Sequence, residues 1–298
     1  NPYWIQNRIQ SKDARIRLLL SLSANLKVTD WLTLQARGNL DHSADKLRQK
    51  FYASTATALC GMNGRYIEMD YQETQMYGDV MAMVKKQLND FTLDVAIGGS
   101  INDRITNSTR IDSKNASLKY ANVFNLANIV MSSSASIDQK IDAHYQLQSV
   151  FATAQIGYKE GVFLDLTARN DWSSTLAYTK YEKKGFFYPS VGVSFLPDKW
   201  VKMPEWVSFS KLRGAYSIVG NGVPPFITYP VSYVTAGGEI LASDAAPFAE
   251  MKPEMTHSVE LGMEWKFLQH RLGLNLTYYR TDTYEQFFKL PALAGDKY

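Results

Sequence analysis

Cysteine and histidine, the residues that most often build disulfides and metal sites, are scarce in this chain of 298 residues. Cys60 is the single cysteine, so it can form neither an intrachain disulfide nor a thiolate metal cage. The four histidines (His42, His144, His257 and His270) are far apart and make no HExxH or HxH pair. The sequence therefore predicts no metal and no cofactor, and we expect Cys60 to be a small buried or loop residue.

Long apolar runs and a strong net charge are also missing. No run reaches about 18 apolar residues, which excludes a membrane-spanning helix but leaves crossing by strands open. The formal charge of +3 is weak, and lysine and arginine are scattered rather than clustered, so we expect no nucleic-acid partner. With 45% hydrophobic and 20% charged residues, the chain has enough apolar surface to fold.

Strict alternation of apolar and polar residues dominates what is present, and this period predicts β-strands. In the last part of the chain, for example, Val259, Leu261 and Met263 alternate with Glu260 and Glu264. Tyr120–Val130 has irregular spacing and is left open. About ten strands are predicted, at Ile16–Leu26, Trp31–Asp41, Arg65–Lys85, Phe91–Asn102, Tyr145–Tyr158, Val162–Asp171, Phe187–Leu196, Val207–Ile218, His257–Phe267 and Leu272–Tyr279.

Strand and loop lengths favour a membrane barrel over a soluble β-sandwich. The predicted strands run for about 10–12 residues, whereas globular strands cluster near 5–6 and barrel strands that cross a membrane need about 9–11. Short turns alternate with long loops, as in outer-membrane barrels. The short turns lie at Lys27–Asp30, Lys86–Asp90, Lys159–Gly161 and Leu268–His270, with an intermediate one at Pro197–Trp206. The long loops lie at His42–Gly64, Asp103–His144, Trp172–Gly185 and Val219–Thr256.

Aromatic residues make up 13% of the chain and several stand at predicted strand ends. Such positions fit the aromatic girdles at the two membrane interfaces of a barrel. Aromatic capping of a sandwich core is the alternative. The residues concerned are Trp31, Tyr158, Trp172, Tyr188, Trp200 and Trp206.

Four stretches resemble the SusC/RagA family of TonB-dependent outer-membrane transporters. In chain order they are "RNDWSSTL", "FYPSVGVSF", "KLRGAYSIVGNG" and "MKPEMTHSVELGMEWKFLQHRLGLNLTYYRTDT". The last is the most specific, with its Lys-Pro-Glu-x-Thr start and its Glu and Gly within the strand. The opening "NPYW" also resembles a segment inside such proteins. The resemblance spans most of the chain and is weakest over residues 43–140.

The resemblance implies an all-β fold, an antiparallel transmembrane barrel of 22 strands with short periplasmic turns and long extracellular loops. Such a barrel imports oligosaccharides or peptides across the outer membrane of Bacteroidota. A SusD-like lipoprotein caps its outer mouth, and the TonB–ExbB–ExbD complex drives it. Residues 1–298 show no plug domain, no TonB box and no terminal strand ending in Phe. We therefore expect one domain, an internal part of the barrel, coupled to TonB through segments not in this chain.

The stretch "RNDWSSTL" is the first candidate site. The family pattern Arg-x-Asp-x-Ser-Ser places Arg169 and Asp171 where a strand reaches the outer rim, and Leu176 stands where the family often has Phe. We expect a lumenal ion pair between Arg169 and Asp171, with two serines (Ser173 and Ser174) shaping the loop. Substrate contact by Asp171 or Trp172 is the alternative. Catalysis is disfavoured, because no base and nucleophile are paired here.

The loop Val219–Thr256 is the second candidate. Tyrosine is favoured at interfaces because it combines apolar area with a polar tip. We expect Tyr229 and Tyr233 to contact substrate and Phe226 and Phe248 to contact a partner, with packing of the loop on itself as the alternative.

Three other functions compete with import. Glu260 and Glu264 lie two pleats apart on one predicted face, a spacing that could imitate a glycosidase carboxylate pair. In a barrel that face is a water-filled lumen where charges are ordinary, so we expect no enzyme. A passive porin and a soluble β-rich carbohydrate-binding module remain as alternatives.

Overall fold

The computed structural model describes residues 2–114, 118–130, 136–229, 231–234, 240–241 and 246–288. Ten strands form a single antiparallel sheet in which neighbours in the sheet follow one another along the chain. They are β1 (Ile9–Lys27), β2 (Leu32–Phe51), β3 (Arg65–Leu88), β4 (Phe91–Asp112), β5 (Ser136–Tyr158), β6 (Val162–Ser173), β7 (Phe186–Phe195), β8 (Val207–Asn221), β11 (Glu254–Phe267) and β12 (Leu272–Tyr284).

Between β8 and β11 a two-stranded sheet pairs β9 (Tyr233–Val234) with β10 (Ile240–Leu241). The helical elements bounded within the described residues are α1 (Pro2–Arg8) and three single 3₁₀ turns, at Leu126–Asn128, Ser174–Leu176 and Pro197–Lys199. Within the described residues, none of these helices has the length and apolar character needed to cross a membrane.

All ten predicted segments are strands, and all except β7 are longer than predicted, most of all β1, β2, β4 and β5. Strands β1 to β5 contain 19, 20, 24, 22 and 23 residues. The predicted ends lie where the continuous apolar face stops, whereas the backbone ladder continues through residues that are mostly polar on both faces. Asp103–Asp112, for example, was predicted as loop and is paired with the start of β5. Parts of the predicted long loops are therefore strand: the preceding strands end at Phe51, Asp112, Ser173 and Asn221, and the following ones begin at Arg65, Ser136, Phe186 and Glu254.

The two faces of the sheet differ in chemistry, because directly opposite residues share a face. The apolar face carries rows such as Leu20, Leu40 and Met76 across β1, β2 and β3. The polar face carries the charged residues that alternate with them. On the inner strands, Val80 and Ile97 of the apolar face are 62% and 61% exposed. A soluble sandwich buries such a face, so this one is built for a non-aqueous neighbour.

Aromatic side chains group at the end of the sheet that bears the short turns. Tyr158 packs between Phe91, at 4.7 Å, and Trp200, at 5.5 Å, measured between ring centroids. Trp206 stacks on Phe267 at 5.6 Å. These contacts agree with the predicted girdle. Tyr188 does not belong to it: because it is opposite Arg169, it lies on the polar face.

Buried side chains lie in the loops at the other end, in two separate clusters. In the first loop pair (residues 52–64 and 118–130), Leu118 and Ile129 pack on Tyr66, which is 5% exposed. Tyr120–Val130, left open from the sequence, contains the 3₁₀ turn at Leu126–Asn128. Cys60 is 1% exposed in this loop pair. In the second loop pair (residues 174–185 and 222–253), the buried cluster is Leu176, Phe186, Val223 and Met251.

Candidate transport site

Cross-strand ion pairs run along the polar face. Arginine side chains on one strand donate to carboxylates on the next, so most of the charge on this face is compensated locally. The nitrogen–oxygen distances are 2.8 Å for Arg17–Asp41, 3.0 Å for Arg37–Asp79 and 2.7 Å for Arg104–Glu73. Because the positive and negative charges are paired, this face is hydrated but carries little net electrostatic potential. It can line a water-filled passage for polar solutes.

Arg169 and Asp171 form the ion pair expected from the sequence. They are two residues apart on β6 and therefore share a face. Arg169 Nε donates to Asp171 Oδ1 at 2.7 Å, and Arg169 Nη2 donates to Ser149 Oγ on β5, also at 2.7 Å. The Asp171 side chain is 16% exposed. This network fixes the carboxylate at the outer end of the polar face, with one side still open to water.

Trp172 lies on the opposite face from Asp171. It is opposite Gln148 in the register, on the apolar face, and is 37% exposed. The strand period of two separates neighbouring side chains. The structure therefore does not bring these two predicted substrate contacts together. On the apolar face Trp172 occupies the position of an interfacial aromatic.

The two serines after Trp172 shape the loop. Ser173 Oγ accepts from the Thr175 amide and caps the 3₁₀ turn that follows. Ser174 Oγ accepts from the Gln146 amide at 2.8 Å, which ties this turn to β5. The end of "RNDWSSTL", Leu176, is 1% exposed in the second loop pair. Most of the motif therefore builds the rim.

The second loop pair is held together by backbone contacts as well as by its buried cluster. Thr228 Oγ1 donates to the Ala177 carbonyl at 3.0 Å. The Lys180 amide donates to the Ala249 carbonyl at 3.0 Å. Glu250 also accepts from the Lys180 ammonium, and this hydrogen bond raises the pKa of Lys180. These contacts join the two segments into one packed unit.

Three of the predicted loop aromatics are exposed on this unit. Tyr229 is 56% exposed and its ring lies 5.1 Å from Tyr178. Phe226 is 41% exposed, and Phe248 is 46% exposed. The Tyr233 side chain lies outside the described residues; its backbone pairs with Leu241 in the β9–β10 hairpin.

Tyr178 was not predicted from the sequence. It is 74% exposed, and its φ of 66° falls in the left-handed region. Exposing an aromatic ring to water is unfavourable, and grouped exposed aromatic side chains often mark interaction surfaces. Its position in the loop directly after "RNDWSSTL" is the sequence feature that could have indicated it. The Tyr178–Tyr229 pair makes an aromatic platform that spans both segments of the second loop pair.

Asp112 anchors the first loop pair at the outer end of β4, beyond the apolar band. It is 1% exposed and accepts from Arg65 Nε and Nη2, each at 2.8 Å, and from Arg110 at 2.7 Å. The Lys114 amide donates to it at 2.8 Å. Burial acts to raise the pKa of Asp112, but the hydrogen bonds from Arg65 and Lys114 and the two arginine charges outweigh it, so the pKa is lowered.

Glu260 and Glu264 share the polar face, as predicted, and each has a cationic neighbour. Glu260 lies 3.2 Å from Arg213, and Glu264 lies 3.3 Å from Lys266. These are solvated ion pairs of the kind seen elsewhere on this face. Among the described residues, no set of three or more His, Cys, Asp or Glu side chains is arranged to hold a metal ion.

The fold is similar to several solved structures. The structure of the RagAB peptide transporter matches 98% of this chain and 32% of its own, with a TM-score of 0.82 and 17% identity. The siderophore receptor PiuA from Acinetobacter baumannii matches 90% of this chain and 40% of its own, with a TM-score of 0.54 and 12% identity.

A curated sequence is also similar. TonB-dependent receptor P3 of Formosa agariphila is 26% identical over 156 residues, which are 49% of this chain and 15% of that protein. The chain thus spans about a third of the RagAB chain it matches and a smaller part of this receptor.

The family described as TonB dependent receptor-like, beta-barrel matches residues 1–296, almost the whole chain. That family fits the exposed apolar face, the polar face of paired charges and the aromatic girdle described above. The apolar face therefore contacts lipid and the polar face lines the lumen. This chain belongs to the TonB-dependent receptor β-barrel family, and its sheet is part of the wall of an outer-membrane barrel.

Proposed function

We propose that this chain forms part of the wall of a TonB-driven importer that carries oligosaccharides or peptides across the outer membrane. The observation that carries the proposal is the ten-stranded sheet, which matches the RagAB peptide transporter over 98% of the chain. Energy coupling belongs to TonB, ExbB and ExbD, acting through parts of the transporter other than residues 1–298. We propose that these residues are one contiguous domain of that barrel.

The chemistry of the lumen supports a polar, extended cargo. Paired arginines and carboxylates line the polar face, and Asp171 is held at its outer end with one side open to water. Such a surface offers donors and acceptors without a strong net charge. We propose that Asp171 contacts substrate entering from the rim and that Tyr229, on the aromatic platform, contacts it before entry. Tyr233 stays a prediction of the same kind. Trp172 is proposed to anchor the outer membrane interface instead.

A passive porin is the competing function, and energy dependence separates the two. Uptake of labelled oligosaccharides and peptides by cells that carry the full-length protein should stop when an uncoupler removes the proton-motive force. Uptake that continues unchanged under the uncoupler would identify a porin.

The site is tested by a pair of neighbouring substitutions. Asp171→Ala should reduce uptake at equal surface abundance, whereas Trp172→Ala, on the lipid-facing side, should leave it close to that of the parent protein. Equal uptake by both variants would remove Asp171 from the substrate path.

We further propose that the second loop pair binds a SusD-like lipoprotein. Two of its exposed aromatics, Phe226 and Phe248, can supply buried anchors of the kind that dominate an interface. Because the buried cluster beneath them joins the two segments, binding costs little ordering entropy. Replacing both by Ala should weaken co-purification with the lipoprotein. Tyr120→Ala is the control, since Tyr120 is 72% exposed in the first loop pair. Full retention of the partner by the double variant would place the interface elsewhere.

A further inference from the structure

Four cations lie on the lipid-facing side of the sheet at the outer ends of β1 and β2. Lys12 is directly opposite Arg48, and Lys46 and Lys50 flank Arg48 one pleat below and above it. The register between the two strands has no shift from Lys27 to Ile9, so these side chains share the face of Leu20 and the other lipid-facing leucines. We call this set the exterior cationic patch.

The height of the patch matches the headgroup layer of the outer leaflet. On β1 the lipid-facing apolar residues run from Ile16 to Leu26. With a rise of about 3.4 Å per residue and a tilt of about 40°, that run spans about 26 Å, close to the ~25 Å apolar band of a barrel. Lys12 is four residues beyond Ile16, which places it about 10 Å above the hydrocarbon.

The patch carries more positive charge than its neighbours compensate. Glu68 lies 3.2 Å from Lys46 and 3.3 Å from Arg48, and Asp70 lies 3.4 Å from Lys46. Four cations therefore face two carboxylates, a net charge of 4 − 2 = +2. In the part of the chain that the structure describes, no carboxylate lies within 4 Å of the Lys12 ammonium. Like charges directly opposite each other destabilise a strand pair, so the Lys12–Arg48 juxtaposition favours an anionic ligand.

The first loop pair covers the sheet above the patch. Tyr66 lies on the same lipid-facing side, because it is opposite Lys50, and the cluster of Leu118, Ile129 and Phe124 packs on it. The Lys50 ammonium lies 5.7 Å from the Phe124 ring centroid. The patch is thus bounded by this loop above and by hydrocarbon below. A ligand that reaches it comes from the headgroup layer.

The lipid-facing surface below the patch has room for acyl chains. Small residues from four strands leave a furrow in the apolar face there, formed by Ala24, Ala36, Gly38, Gly78 and Gly99. A furrow of this kind fits a lipid with several acyl chains.

We propose that the exterior cationic patch binds the phosphorylated headgroup of an outer-leaflet glycolipid, whose acyl chains lie along the apolar face below. Phosphate is the anion that suits clustered Lys and Arg side chains, and basic pockets at a membrane interface recognise lipid headgroups in this way. Bound glycolipid would hold the transporter in the outer leaflet at a fixed height.

The test titrates the full-length transporter in detergent with purified phosphorylated lipid A and measures binding by native mass spectrometry. Lys12→Gln, which breaks no ion pair with a described residue, should weaken binding by about threefold to fivefold. The triple variant K12Q/K46Q/R48Q should weaken it by about tenfold or more. Heat-modifiable migration on gels checks that every variant is a folded barrel.

The control variant K27Q/K85Q/K86Q removes three cations at the periplasmic ends of β1 and β3 and should bind like the parent protein. Lipid A without its phosphates, phosphatidylglycerol and inorganic phosphate should each bind more weakly than phosphorylated lipid A. Equal binding of the dephosphorylated lipid, equal binding of phosphatidylglycerol, or an equal loss in the control variant would overturn the proposal. Binding of lipid A that is unchanged in both K12Q and K12Q/K46Q/R48Q would also overturn it.

Discussion

Three consecutive residues of β12 test which face contacts lipid and how deep each residue lies. Leu274 and Leu276 are on the lipid-facing side, opposite Trp265 and Met263, whereas Asn275 is on the lumenal side, opposite Glu264. Replacing each in turn by Arg introduces the same charge on alternate faces. A charge on the lipid face must be taken out of water or must distort the bilayer, while a lumenal charge remains hydrated.

Depth sets the expected magnitudes. Leu272, opposite Phe267 in the aromatic girdle, marks the inner boundary of the apolar band. With a rise of about 3.4 Å and a tilt of about 40°, Leu274 lies about 5 Å and Leu276 about 10 Å above that boundary. In a band about 25 Å tall, Leu276 is near the midplane. We expect Leu276→Arg to cost about 2–4 kcal/mol, Leu274→Arg about 1–2 kcal/mol and Asn275→Arg close to zero.

The measurement is the guanidinium unfolding midpoint of the full-length protein folded into lipid vesicles, followed by tryptophan fluorescence. The order of destabilisation should be Leu276, then Leu274, then Asn275. An equal loss for Asn275→Arg and Leu276→Arg would refute the assignment of faces. A larger loss for Leu274 than for Leu276 would refute the assignment of depth.

Three further predictions concern the first loop pair. Asp112→Ala should cost about 3 kcal/mol of local stability, which is the lower end for breaking a buried ion pair because Arg65 and a second arginine keep part of their side chains in water. Protease cleavage within residues 118–130 should therefore rise, with Glu68→Gln as a nearby control. Unchanged cleavage would show that the ion pair does not stabilise this loop. Since the pKa of Asp112 is lowered on folding, the stability that its carboxylate contributes should be complete above the ordinary pKa of 3.8 and should be lost as the pH falls below that value. Cleavage within residues 118–130 that stays constant from pH 6 to pH 2 would contradict this expectation. Gly64→Ala should cost about 1–3 kcal/mol, because a Cβ there would lie 2.7 Å from the Phe51 carbonyl oxygen at a φ of +106°; cleavage within residues 52–64 reports it, and a wild-type pattern would show that the loop absorbs the strain.

The presence of the strands was predictable because the membrane imposes a simple pattern. Each crossing needs one apolar face, so segments such as His257–Phe267 alternate without a break. The opposite faces of Asp171 and Trp172 were also predictable, since adjacent residues on a strand point to opposite sides of the sheet. The two side chains therefore cannot line the same face of the barrel wall.

The ends of the strands were not predictable by the same rule. Beyond the membrane neither face needs to be apolar, so alternation disappears at Asp103 although the ladder runs on to Asp112. Cross-strand hydrogen bonds and ion pairs stabilise these outer ends instead, and they join residues far apart in sequence. The packing of the two loop pairs depends on such distant contacts, of which Thr228 with Ala177 is one.

The extra strand length explains why the candidate sites all lie at the outer end. About 9–11 residues suffice to cross the membrane, whereas β3 contains 24. The excess raises the wall above the lipid, so that one stretch of strand meets the lumen on one face and the headgroup layer on the other. In the two proposals made above, the polar face there presents Asp171 to incoming solute, and the outer face presents the exterior cationic patch to lipid. Both surfaces therefore depend on the continued β-ladder, and a variant that frays the outer ends of β1 and β2 should weaken glycolipid binding before it affects the transmembrane barrel.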